Sequence, residues 1–376
     1  MHVNKVYVKS LHAVTPGRHY NKSLRDLAAE AFLKAWEAAG CPNIDMIILA
    51  SAAVDIVEEQ LLSSSYVCEY LSLENVPSLR IEVGDASGTA ALAYAYNLVR
   101  YGVCRNVAIL GVEKITDFIS VKVNKVLSYL CDSTYESYYG ITPAVHAALM
   151  TKFYMKKFNY TYEDIAWWSV KMHERGASNP YASLRRKLKI EDIMNSEIVA
   201  DPIRLFDTAV PVDGAVCIIL SSEKSDLGVE LAHVEQHAYN VSINMRPDPA
   251  RLFTVNAARE VVQKFSPTLF EISDKFSIFG ILILEELGLA EPGTAPKLIR
   301  EGTFDPGSKV VVNASGGLKC IGYPMGASGL YLSAMLILEL AKAEPFSNVG
   351  DHSIGAVCDV GGTDRLSNVL IFRRES

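Results

Sequence analysis

Residues 81–102 read IEVGDASGTAALAYAYNLVRYG. A short strand-like approach (Ile81, Val83) meets a turn at Gly84, and beyond Asp85 the residues are small and mostly apolar. Ala86, Ala90, Ala91, Ala93 and Ala95, with Leu92, Leu98 and Val99, leave a helix little polar surface. The pattern predicts a buried helix that other elements approach closely. Its first turn would present unpaired N–H groups and the positive end of the helix dipole, where a reactive side chain is well placed. Asp85 occupies that position, and Asp is also a preferred helix N-cap.

Outward from this stretch, strands and helices alternate. A strand is expected at 3–9, a helix from Ser23 to about 39, a buried strand at 44–50 and a helix near 57–72. A further strand at 107–112 completes an α/β pattern of parallel strands covered by helices on both faces. Between about 113 and 201 polar, aromatic and basic residues accumulate, and helices at 143–158 and 161–175 predict an inserted helical subdomain. The second half repeats the style of the first. After the insertion closes on a strand at 212–222, it runs through a strand at 229–239, a helix at 250–265, a strand at 269–272 and a helix at 276–288. A Gly-rich turn then precedes a buried helix ending near 340, followed by strands near 354–358 and 367–372. The expectation is an internal duplication, residues 1–226 with the insertion, then 227–376.

Bulk composition narrows the function. The chain has 376 residues, 49% of them hydrophobic, and a net charge of −7. An acidic balance argues against a nucleic-acid scaffold and against docking to an anionic membrane. No apolar run approaches the ~18 residues that span a bilayer, and the first residues lack a signal-peptide pattern, so a cytoplasmic location is expected. The seven cysteines form no CxxC pair and no cluster at zinc-ligand spacing, so free thiols and no metal are expected.

Several motifs, in this order and spacing, carry a family resemblance: SLRDLAAEAF at 23–32, DASGTAAL at 85–92, VAILGVEKITD at 107–117 and YYGITPAVHAALMTKFYM at 138–155. NPYA at 179–182, VPVDGAV at 210–216, VVNASGGL at 311–318, GYPMGASG at 322–329 and VGGTD at 360–364 continue it. The chain resembles the thiolases over nearly its whole length, in particular the sterol-carrier-protein-x type and archaeal thiolase-like proteins. The resemblance implies the thiolase fold: a duplicated, five-layered αβαβα core with an inserted loop domain, and a homodimer. It also implies a possible ligand, coenzyme A or an acyl-CoA, with no other cofactor required. Relatives of this type associate with a small zinc-ribbon/OB-fold protein, which makes such a partner an expectation here.

Thiolase chemistry needs a Cys nucleophile at the buried helix, a His in a GHP turn to activate it, and a His in an HDAF motif to hold the thioester oxygen. Here CASG reads Asp85-Ala86-Ser87-Gly88, HDAF reads Ser273-Asp274-Lys275-Phe276, and GHP reads Gly322-Tyr323-Pro324. The C-terminal loop keeps its form as Cys358-Asp359-Val360-Gly361-Gly362, with Gly361 and Gly362 as the oxyanion loop and Cys358 a weak proton-transfer candidate off C-x-G spacing.

Asp85 is a poor acyl carrier, because a mixed anhydride is short-lived. Its charge would also repel a developing enolate about 4 Å away by about 4 kcal/mol at an effective dielectric near 20, roughly a thousandfold in rate. A capping role is the expectation for Asp85, and a structural role for Ser87. Ser273 cannot serve as a base. Tyr323 either fills the space of the missing His or acts as an acid/base, which requires a pKa well below ~10. Three functions stay open: a thiolase-like binding or assembly subunit without thiolytic or Claisen activity, an acyl-CoA retro-aldolase using Tyr323, and an acyltransferase with a relocated nucleophile. Thiolase-like proteins of the retro-aldol kind use tyrosines in this pocket.

Overall fold

Buried side chains alternate along the strands and sort themselves into three large cores. The computed structural model describes residues 3–239, 242–346 and 349–375. Ten strands form one mixed sheet: β1 (Tyr7–Ala13), β2 (Met46–Ala50), β3 (Ser78–Ile81), β4 (Asn106–Glu113), β5 (Gly214–Ser221), β6 (Val229–Ala238), β7 (Leu269–Ile272), β8 (Val311–Val312), β9 (Ile354–Gly361) and β10 (Leu366–Arg374). The strand order is β8-β7-β9-β10-β6-β1-β5-β4-β2-β3. From each outer edge inward, both sets of five strands follow the same permutation, third, second, fourth, fifth, first. The sets meet where Tyr7 of β1 faces Glu230 of β6.

The alternation explains the layering. Ile47 and Leu49, Ala108 and Leu110, and Cys217 and Ile219 point into an outer core under the helix α1 (Leu24–Ala38). Their neighbours Ile48, Val107, Ile109, Val216 and Ile218 point the other way, into a central core. In the second half Leu269, Val357 and Leu370 join that central core, whereas Phe270, Ile272, Ala356, Cys358 and Val369 face a second outer core. Two helices fill the middle, α2 (Ser87–Arg100) and, further along the chain, Ser328–Leu340. Every residue of Ser328–Leu340 is buried, as expected for a helix apolar all round. The result is five layers, α-β-α-β-α. Glycine sets the spacing of the two central helices: a Cβ on Gly88 would lie 2.8 Å from the Leu330 backbone nitrogen.

The insertion contains two long helices, α3 (Pro143–Phe158) and α4 (Tyr162–Gly176), matching the expected helices at 143–158 and 161–175. Other expectations need correction. The sheet is mixed, because β5 returns from the insertion antiparallel to both β1 and β4. The first strand begins at Tyr7 rather than at residue 3. The helix expected near 57–72 is two pieces, Val54–Val57 and Ser63–Tyr70, separated by Glu59 and Leu62 at positive φ. The one expected at 250–265 breaks into Phe253–Ala257 and Arg259–Phe265.

Candidate active site

The turn before α2 places Asp85 in the central layer. Gly84 has φ +63°. The Ser87 hydroxyl closes the turn by accepting from Val83 N at 3.0 Å and donating to the Gly84 carbonyl at 2.5 Å. Ser87 is therefore structural. The helix N-cap is Ala86, with no capping side chain, so the expected capping role of Asp85 is overturned. The reason lies across the site: the Asp85 carboxylate is drawn to partners brought in by the second half of the chain.

Three such partners converge on it. Lys275, directly after β7, donates from Nζ to Asp85 Oδ2 as a buried ion pair. Tyr323, on the turn before Ser328–Leu340, donates its hydroxyl to the same oxygen at 2.7 Å. The Gly362 N–H, in the β9–β10 turn, donates to Asp85 Oδ1 at 2.6 Å. Lys275 Nζ also donates to the carbonyls of Val360 at 2.8 Å and Gly362 at 2.6 Å, so all three of its N–H bonds have acceptors. Asp85 is 2% exposed, Lys275 3% and Tyr323 6%.

Lys275 is the residue that reading the motifs overlooked. The signal was present, since a long cation stands at the alanine position of HDAF. Its charge changes the electrostatic argument, because the carboxylate that would repel an enolate is balanced by an ammonium on the same oxygen. Gly362, expected in the oxyanion loop, turns its N–H to Asp85. Gly361 packs with its Cα toward Ala86, where a Cβ would lie 3.2 Å from the Ala86 methyl.

Burial, and next the Asp85 charge, hold the Tyr323 phenol well above its usual pKa. The lowered pKa required of a tyrosinate base is therefore not what the site creates; Tyr323 remains a neutral phenol.

A second carboxylate lies behind the first. Asp359 accepts from the Thr89 hydroxyl at 2.8 Å and from the Ser273 hydroxyl. Burial, and then the Asp85 charge, push its pKa up to about 7. Ser273, in the position of a thiolase His, thus serves Asp359, and its backbone N–H donates to the Cys358 carbonyl at 2.9 Å. Cys358 itself faces the outer core, on the opposite side of β9 from Asp359. Burial raises its thiol pKa, and the structure does not bring it to Asp85.

A cavity of about 130 Å³ opens onto Lys275 and Tyr323, walled by Leu127, Thr142, Pro143, Pro211 and Phe276. The insertion thus roofs the site. Its segment also brings Cys131, Glu136 and His146 together in a buried group that their sequence spacing concealed.

Residues 10–226 match the family described as thiolase, N-terminal domain, and residues 240–374 match thiolase C-terminal domain-like. The chain belongs to the thiolase family. An acetyl-CoA acetyltransferase of Methanothermobacter thermautotrophicus is 34% identical to this thiolase-family chain over 373 residues, covering 95% of this chain and 96% of that one. Among solved structures, the Ltp2-ChsH2(DUF35) aldolase superposes with a TM-score of 0.84 at 17% identity, covering 100% of this chain and 99% of that one. The Acat5 thiolase of Ascaris suum in complex with coenzyme A gives 0.72 at 14% identity, covering 99% and 100%. Within the described residues, no helix of this family member is long and apolar enough to cross a membrane.

Proposed function

We propose that this thiolase-family chain is a carbon–carbon lyase that cleaves or forms a β-hydroxyacyl thioester by aldol chemistry. One observation carries the reading: the carboxylate at the nucleophile position is ion-paired to a lysine and accepts a hydrogen bond from a phenol that faces a cavity. Aldol cleavage requires a proton to leave the β-hydroxyl and a proton to reach the α-carbon, with no acyl-enzyme. As the substrate hydroxyl gives its proton to the Tyr323 oxygen, the Tyr323 proton moves to Asp85 Oδ2. The C–C bond breaks to release a carbonyl compound and the thioester enolate. The proton then returns from Asp85 through Tyr323 to the enolate carbon, so the product set contains every atom of the substrate. Lys275 offsets the charge that accumulates near Asp85.

The cavity has room for roughly four water-sized volumes, which suits a short acyl group. Coenzyme A as the thioester carrier is supported by the coenzyme A complex of the Ascaris suum thiolase. A small zinc-ribbon/OB-fold partner is supported by the ChsH2(DUF35) component named with the aldolase of similar fold. A homodimer and a cytoplasmic location complete the reading.

The test is to incubate the protein, alone and with such a partner, with short 3-hydroxyacyl-CoAs and to trap the released aldehyde or ketone. Carbonyl release that falls with Tyr323→Phe supports the proposal. An unchanged Tyr323→Phe enzyme, or acetoacetyl-CoA thiolysis at an ordinary thiolase rate, overturns it. A second reading, a non-catalytic binding or assembly subunit, is favoured by how completely Asp85, Lys275 and Gly362 satisfy one another. It predicts acyl-CoA binding with no carbonyl release from any substrate.

A further inference from the structure

Behind the Gly362 turn, three potential metal ligands from the insertion face one another. Cys131 is 3% exposed, Glu136 2% and His146 0%. One ligand atom from each lies within 4.8 Å of the other two. The imidazole is anchored on one side, where Nδ1 is 2.9 Å from Thr363 Oγ1. On the other side Nε2 has no hydrogen-bond partner, although it is buried and only 3.2 Å from Glu136 Oε1. In the tautomer that carries its proton on Nδ1 and donates to Thr363, the ring presents a lone pair at Nε2 directly to a carboxylate oxygen. Two lone pairs at that distance repel unless a proton or a metal cation lies between them.

We propose that Cys131, Glu136 and His146 form a binding site for a divalent ion of the zinc class. Zinc bonds of 2.0–2.3 Å place tetrahedral N and O ligands about 3.4 Å apart and N and S ligands about 3.6 Å apart. The observed N···O separation is 3.2 Å, and the Cys131 thiol lies within 4.8 Å of the other two ligand atoms.

The supporting contacts are those of a metal site. Thr363 orients the imidazole through Nδ1. Ser242 Oγ and the Ile243 N–H each hold Glu136 Oε1 at 2.9 Å, and the Asp132 N–H holds Oε2 at 2.8 Å. Arg365 lies 3.7 Å from Oε2. On binding, the Cys131 S–H bond breaks, its proton passes to solvent and the S–metal bond forms, with no change of oxidation state. Three protein ligands leave a fourth position of the ion for water. Thr363 directly follows Gly362, whose N–H holds Asp85. The ion would thus pin the insertion to the back wall of the candidate active site.

The full chain is loaded with Zn²⁺, desalted and assayed for bound metal, and in parallel titrated with Co²⁺ in the absorbance spectrometer. We expect about one equivalent per chain and a thiolate-to-cobalt charge-transfer band that Cys131→Ser removes. Cys320→Ser, which alters a different buried Cys–His contact, keeps both signals. Thr363→Val, which leaves all three ligands in place, weakens zinc binding about 10- to 100-fold. Absence of the charge-transfer band in the wild-type chain overturns the proposal, whether or not the variants fold. Zinc retained equally by Cys131→Ser overturns it too.

Discussion

Two buried carboxylates a few residues apart in space behave differently. Asp85 has a lysine, a phenol and a backbone N–H as partners. Asp359, with two hydroxyls and the neighbouring Asp85 charge, is pushed up to about 7. Burial is nearly the same, at 2% and 1% exposed. Partner chemistry, rather than depth, therefore distinguishes the two. The front carboxylate is a compensated anion in contact with the cavity-lining phenol, and the rear one changes protonation near neutral pH.

The largest way to break this contrast is to remove the compensating cation. Lys275→Met leaves Asp85 buried and unpaired and should cost about 3–5 kcal/mol of stability. Denaturant unfolding measures this, and the double variant Lys275→Met with Asp85→Asn should recover most of the loss. A double variant no more stable than the single one would show that the ion pair is not what holds the corner together. Next in size, Tyr323→Phe should lower carbonyl release by at least about 100-fold while leaving acyl-CoA affinity within a few-fold, as read from single-turnover kinetics and calorimetry.

The rear corner is probed by pH. Asp359 has a folded pKa of about 7 and an unfolded one near 3.9. Between those values the folded chain binds one more proton than the unfolded chain, so this group's stabilising contribution falls as pH rises from about 4 to about 7. Asp359→Asn should flatten the pH dependence of stability by about one proton across that window. Glu113 and Glu271, also pushed up to about 7 by burial, keep the remaining slope. An unaltered slope in Asp359→Asn would place the titration elsewhere. The smallest effect is expected at Cys358, whose side chain lies in the outer core. Cys358→Ala should cost about 1 kcal/mol of packing and leave turnover within twofold, whereas a large activity loss would return that thiol to the mechanism.

Much of the fold was legible in local pattern. The alternation in 44–50 and 107–112, the small-residue run at 85–95 and the apolar helix ending near 340 each have a period or composition that only one element type satisfies. Breaks were less legible. The helix expected at 57–72 fails through positive-φ residues at Glu59 and Leu62, types that carry no turn signal. The antiparallel entry of β5 depends on where a long insertion returns the chain, which no short window of sequence records.

The sequence by itself determined the thiolase architecture and the loss of the nucleophilic Cys and both His residues, because motif order and residue identity are properties of the chain. Only the tertiary structure decided what the replacements do. Asp85 and Lys275 are 190 residues apart, and Asp85 and Gly362 are 277 apart. No local periodicity couples such positions. Their charges and hydrogen bonds balance only after the two halves have packed their central helices together and water has been excluded from the space between them.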